Sequence, residues 1–260
     1  MKRCIIALAA LAAACNQQAA APEIVAPTLD APVLPMADAA GNRMEALTEQ
    51  NGRFCSGDGA WCVSVGDASV TVTHGEQNTE LLTFTTDSGT PKVWPVIIRE
   101  GRNDQSVQIG LGWDSHEMYS GGGADATHVT LYRITQGSAL IPEVLTWPRS
   151  AGKMIRACFE EDDQNTRRGA CHDEYGFEGQ LALDTENASG PPRLILTTLA
   201  TTYPGDISLS QDAGERAPLQ ASDLVTVTDA ECSYRRLLTF SDTAYVYDAP
   251  PPACEDYQLQ

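Results

Sequence analysis

The chain is poor in basic residues. It has 17 lysines and arginines against 35 aspartates and glutamates, a net charge of −18. A surface of that sign repels phosphate backbones and anionic headgroups, so nucleic acid is excluded as a partner. Long apolar runs are also missing beyond the first residues, and no later stretch is long enough to span the roughly 30 Å of a bilayer core. No C-x-x-C pair with nearby histidines at ligand spacing occurs, which argues against a zinc site. There is no G-x-S-x-G elbow for a nucleophilic serine. The four tryptophans, Trp61, Trp94, Trp113 and Trp147, are unevenly spaced, so they mark no repeat. No window after residue 48 sustains helical spacing. No cofactor is implied.

What is present begins at the N-terminus. Lys2 and Arg3 precede ten apolar residues, Ile5 to Ala14, and Ala12-Ala13-Ala14 lead into Cys15. The run is too short to cross a membrane and has the anatomy of a cleaved export signal. Residues 1–15 resemble a bacterial lipoprotein signal, in which the cysteine becomes the lipidated N-terminus. That resemblance implies an acyl anchor in a lipid bilayer at Cys15 and a place in the cell envelope, facing the periplasm or the cell surface. Cleavage after Ala21 is the alternative, and it releases a soluble periplasmic protein.

Residues 16–45 read as an Ala/Pro-rich tether. Pro22, Pro27, Pro32 and Pro35 favour an extended chain of about 3.1 Å per residue. A short helix is expected at its end, with Asp38 as cap and Met44 and Leu47 as its apolar stripe.

Removing Cys4 with the signal and Cys15 to lipid leaves six cysteines. An even number in an exported protein implies three disulfides. They fall in sequence-local couples, so Cys55–Cys62, Cys158–Cys171 and Cys232–Cys254 are the expected pairs.

Residues 46–260 read as an all-β domain. Ala68 to Thr73 and Phe177 to Asp184 alternate with period two, the second run placing Phe177, Leu181 and Leu183 on one face. Leu81–Thr85, Val93–Arg99, His128–Thr135, Arg193–Thr201, Asp223–Thr228, Tyr234–Phe240 and Ala244–Tyr247 are also short and rich in strand-forming residues. The expected fold is a disulfide-stabilised β-sandwich or barrel. A small β-propeller, or two small β domains divided near residues 149–153, are the alternatives.

Three constellations are candidates for function. His172, Asp173 and Glu174 set a base beside two carboxylates, the start of acid–base chemistry, and His116 is a second candidate base. Gly110 to Gly123 reads as a glycine-rich loop in which Trp113, His116 and Tyr119 line a shallow aromatic binding site. Between Cys158 and Cys171, Glu161, Asp162 and Asp163 offer oxygen ligands for calcium, and Arg167 and Arg168 offer a basic epitope. None of these completes a catalytic set. The expected role is therefore non-catalytic binding of a protein, peptide or glycan, with a cationic envelope protein or peptide favoured by charge. A hydrolase using His172 or His116, and an inhibitor of cationic lytic enzymes, are the alternatives.

Overall fold

The computed structural model describes residues 29–85, 89–104, 106–135, 140–205, 207–211 and 216–257. The expected signal, Cys15 and the first part of the tether lie outside the described residues.

The described residues are nearly all β, with 54% strand and 6% helix, in two antiparallel sheets. In order, β1 is Met36–Ala37, β2 Arg43–Ala46, β3 Thr48–Gln50, β4 Arg53–Cys55, β5 Trp61–Val65, β6 Ser69–His74, β7 Gln77–Thr83 and β8 Lys92–Glu100. The long strands follow: β9 Ser106–Tyr119, β10 Gly122–Thr135 and β11 Leu140–Arg156. A short helix α1, Glu161–Thr166, leads to β12 His172–Leu183, β13 Leu194–Tyr203, β14 Val227–Thr228, β15 Arg235–Ser241 and β16 Ala244–Tyr247. The large sheet runs β1-β2-β8-β9-β10-β11-β12-β13-β15-β16, with β14 on β13, and the small sheet runs β3-β4-β5-β6-β7. No closed barrel forms among the described residues.

The sequence pattern explains why β8 lies between two apolar clusters. Trp94, Val96 and Ile98 enter one apolar cluster and Val93 and Ile97 another, so the strand is buried on both faces. The second cluster joins the small sheet (Val63, Val70, Val72) to the large one (Val107, Ile109, Leu111). The first gathers β8, β10 and β11 against Leu181, Leu183, Leu194, Leu196 and Leu238. A third, around Phe177, Ala200 and Tyr257, lies beneath the C-terminal segment. Burial of this kind stabilises by roughly 25 cal/mol per Å² of apolar surface. The three expected disulfides form, Cys55–Cys62, Cys158–Cys171 and Cys232–Cys254.

Four expectations need correction. No helix follows the tether. The Asp38 carboxylate accepts from the Asn42 backbone N–H at 2.8 Å and from Asn42 Nδ2 at 2.7 Å, closing a turn between β1 and β2 instead of capping a helix. β-structure consequently begins at Met36, before the expected boundary at residue 46, and Met44 is core. The joint proposed near residues 149–153 lies inside β11, which pairs with β10 and β12 there. The cluster that packs Trp94, Val129 and Trp147 against Leu181, Leu194 and Leu238 likewise spans both proposed parts. Gly110 to Tyr119 is strand rather than loop. A Cβ on Gly110 would sit 2.7 Å from the Trp94 ring, so glycine is there to admit the indole, not to bend the chain.

Candidate functional site

Residues paired directly across an antiparallel ladder project to the same face. Three successive rows therefore define one exposed face across β9 to β13. The first row is Asp114, Thr127, Ser150 and Glu178. The second is His116, Asp125, Gly152, Gly176 and Thr201, and the third is Met118, Gly123, Met154, Glu174 and Tyr203. No element of the described chain covers the middle of this face, and Met118 stands 74% exposed on it.

Two depressions lie on the face. The larger, about 730 Å³, has an apolar floor of Trp94, Val96, Val129, Trp147 and Leu181. That volume is within the range of small-molecule sites. Leu29, Ala31, Pro32 and Leu34 form one wall, and Lys92, Asp114, Arg149 and Glu178 stand at the rim. Trp94 and Trp147 meet edge to face, 5.3 Å between centroids, and are only 8% and 1% exposed. The smaller depression, about 330 Å³, runs over Gly123, Gly152 and Gly176. Its shallowness has a packing cause. A Cβ on Gly152 would come 3.1 Å from Asp125 Oδ1, and one on Gly176 would come 2.8 Å from Thr201 Oγ1. The glycines make room for those two side chains to lie flat.

The rim charges differ in how they are engaged. Lys92 and the Thr127 hydroxyl both donate to Asp114, the latter at 2.8 Å. The hydrogen bond from Lys92, then that from Thr127, with the charges of Lys92 and Arg149 adding, hold the Asp114 carboxyl below the usual carboxylate range. Arg149 is the extra residue of a β-bulge. Thr127 pairs with Ser150 and His128 with Pro148, which leaves Arg149 opposite nothing. Bulges re-aim side chains, and here the bulge brings a guanidinium to the cleft rim. Among the described residues, neither Arg149 nor Glu178 has a hydrogen-bond or ion-pair partner within 4 Å, although Glu178 pairs across strands with Ser150. Ser150 and Gln180, also lining this cleft, are likewise unengaged through their side chains.

The residues singled out from sequence are dispersed. Trp113 and Tyr119 share one face of β9, while His116 projects from the other. Trp113 packs edge-on against Phe84, 6.4 Å between centroids, and the Tyr119 hydroxyl donates to the Met154 carbonyl at 3.3 Å. The expected aromatic trio does not form, because strand alternation divides it. His172 and Glu174 are exposed, and Asp173 between them is buried. Asp173 accepts from Arg167 and from Arg216, the latter at 3.0 Å, and not from His172. The expected histidine–carboxylate pair is therefore absent. His116 and His172 lie on one face but do not converge. Three strand spacings and four residues of rise put them roughly 20 Å apart.

Arg167 is likewise structural, buried and donating to the Ala170 carbonyl at 2.8 Å. Arg168 donates to the Leu219 carbonyl at 2.9 Å. The two arginines thus form no joint epitope. Asp163 accepts from the Phe159 and Glu160 N–H groups at 2.7 and 2.9 Å, so it closes the start of α1. Those hydrogen bonds hold its carboxyl below the ordinary range. Glu161 and Asp162 do not join it in a ligand set: among the described residues, no three His, Cys, Asp or Glu side chains gather as metal ligands.

Lys92, Trp94, Trp147, Arg149 and Glu178 carry the cleft, and sequence reasoning did not select them. One signal was available. Pro148 inside a strand run marks a bulge, and the residue beside it is the re-aimed one. No family model, no curated protein and no solved structure matches this chain.

Proposed function

We propose that this protein is a lipid-anchored component of a bacterial envelope that binds a partner without catalysis. The uncovered face of β9 to β13 is its binding surface. One observation carries the reading: an open five-strand face holds a cleft of about 730 Å³ whose rim keeps charged and polar groups that no other part of the described chain engages. Unengaged polar groups over an apolar floor are the arrangement that fixes a ligand's orientation. The N-terminal resemblance and the three disulfides support export and anchoring through Cys15. The face carries four carboxylates, Asp114, Asp125, Glu174 and Glu178, against Lys92 and Arg149. This favours a partner with cationic groups.

Photo-crosslinking in living cells tests the surface. A benzophenone amino acid at Gln180 or Thr201 is expected to yield a discrete adduct, and one at exposed Val246 is not. Adducts at neither face position, or equal adducts at all three, would refute the assignment. Cys15→Ser is expected to move the protein from the membrane pellet to the soluble fraction. An unchanged pellet would remove the anchor from the proposal.

A further inference from the structure

We infer that the larger cleft binds a short peptide by its two free termini, with the carboxylate on Arg149 and the ammonium on Glu178. This rests on the binding-face reading above and names its ligand chemistry. Arg149 and Glu178 flank Ser150, one beside it in sequence and one across the ladder, yet they do not pair with each other within 4 Å. Lys92 and Asp114, on the same rim, already satisfy each other. Among the described residues the rim therefore presents one cation and one anion without a hydrogen-bond or ion-pair partner, Arg149 acting on Asp114 only through its charge. A zwitterion matches that pair. A guanidinium also suits a carboxylate because its planar fork donates two parallel hydrogen bonds.

The rest of the lining selects among zwitterions and amphiphiles. Ser150 and Gln180 supply unengaged hydrogen-bonding side chains beside Glu178. A fatty acid would cover those groups and leave them unsatisfied, at about 1–3 kcal/mol each. Peptide amides satisfy them. A sugar ring needs an open aromatic face, and Trp94 and Trp147 turn their edges and faces to each other under nearly complete burial. The wall of Leu29, Pro32 and Leu34 suits an aliphatic side chain. That wall belongs to neither sheet, since residues 29–33 make no strand pairing. A peptide running beside it meets backbone groups not already used in a ladder.

Titration calorimetry with Ala-Leu-Ala, its C-terminal amide and its N-acetyl form tests this, with decanoate as a fourth probe. The free peptide is expected to bind, and amidation or acetylation each to weaken it at least tenfold. Arg149→Ala should weaken the free peptide by the same factor and leave the amide's affinity unchanged. Glu178→Gln should do the same for the acetylated form. Both side chains are exposed, so the variants keep the fold. Equal affinity for all three peptides, binding of decanoate alone, or no peptide binding at millimolar concentration would overturn the inference. Adducts at Gln180 in cells alongside any of these outcomes would leave the binding face standing and only its ligand wrong. Absence of both would end both.

Discussion

The contact between Gly110 and Trp94 links the cleft to the core, and replacing the glycine measures that link. An alanine Cβ at position 110 would lie 2.7 Å from the Trp94 ring and 2.9 Å from its Cβ. Ordinary carbon contacts are about 3.5–4.0 Å, so something must shift by most of an ångström. β9 cannot shift easily, because Gly110 pairs with Leu131 on β10 and its neighbours Ile109 and Leu111 pair with β8. Trp94 is wedged against Trp147 on its other side. Overpacking of this sort costs about 1–3 kcal/mol. Alanine recovers about 0.5–1 kcal/mol by restricting the unfolded chain. Gly110→Ala should thus destabilise by about 1–2 kcal/mol net. With a urea m-value of about 2 kcal/mol/M, the unfolding midpoint falls by about 0.5–1 M. Trp94→Ala alone should cost about 3–5 kcal/mol. In that background the alanine at 110 meets open space, and its cost should vanish or reverse. Urea titrations followed by far-ultraviolet circular dichroism, with disulfides intact, close the cycle. If Gly110→Ala costs the same in both backgrounds within about 0.5 kcal/mol, the two residues do not interact and the account of this glycine is wrong.

The disulfides rank by the loop each closes. Sequence separations of 22, 13 and 7 give about 3.4, 2.9 and 2.4 kcal/mol by the chain-entropy relation. Paired Cys→Ala variants should lose stability in that order in urea, and a reversed order would show that native packing outweighs loop closure. His128 lies partly buried beside Ala126, Pro148 and Phe177, and burial lowers its pKa from the ordinary 6.5. The folded state therefore resists protonation more than the unfolded chain does. The stability associated with neutral His128 is complete above about pH 6.5 and erodes as the pH falls toward the folded-state value. Between pH 7.5 and 5.5 the wild type should lose more stability than His128→Gln, and parallel profiles would refute this.

Legibility in the sequence follows how local each cause is. β12 could be read because Tyr175, Phe177, Leu181 and Leu183 all point inward in strict alternation. The cysteine couples were readable because each closes a short local loop. β9 and β11 were missed, since their punctuation has distant causes: Gly110 yields to Trp94, and Pro148 sits at a bulge whose carbonyl needs Gly179 opposite it. The helix expected near Asp38 failed for a related reason. Asn42 donates to the Gly190 carbonyl and accepts from the Gly101 N–H, so the turn is held from far along the chain. The site follows the same logic. Asp173 looked catalytic because it stands beside His172, but alternation sends it inward to two arginines. Lys92, Arg149 and Glu178 looked ordinary because none has a charged neighbour within two positions in sequence, and only the register of five strands brings them to one rim. Charge clusters along a chain report mostly on neighbours in sequence. A binding cleft on a sheet is assembled across strands, so its residues are spaced by whole hairpins and leave little local trace except where a proline breaks the ladder.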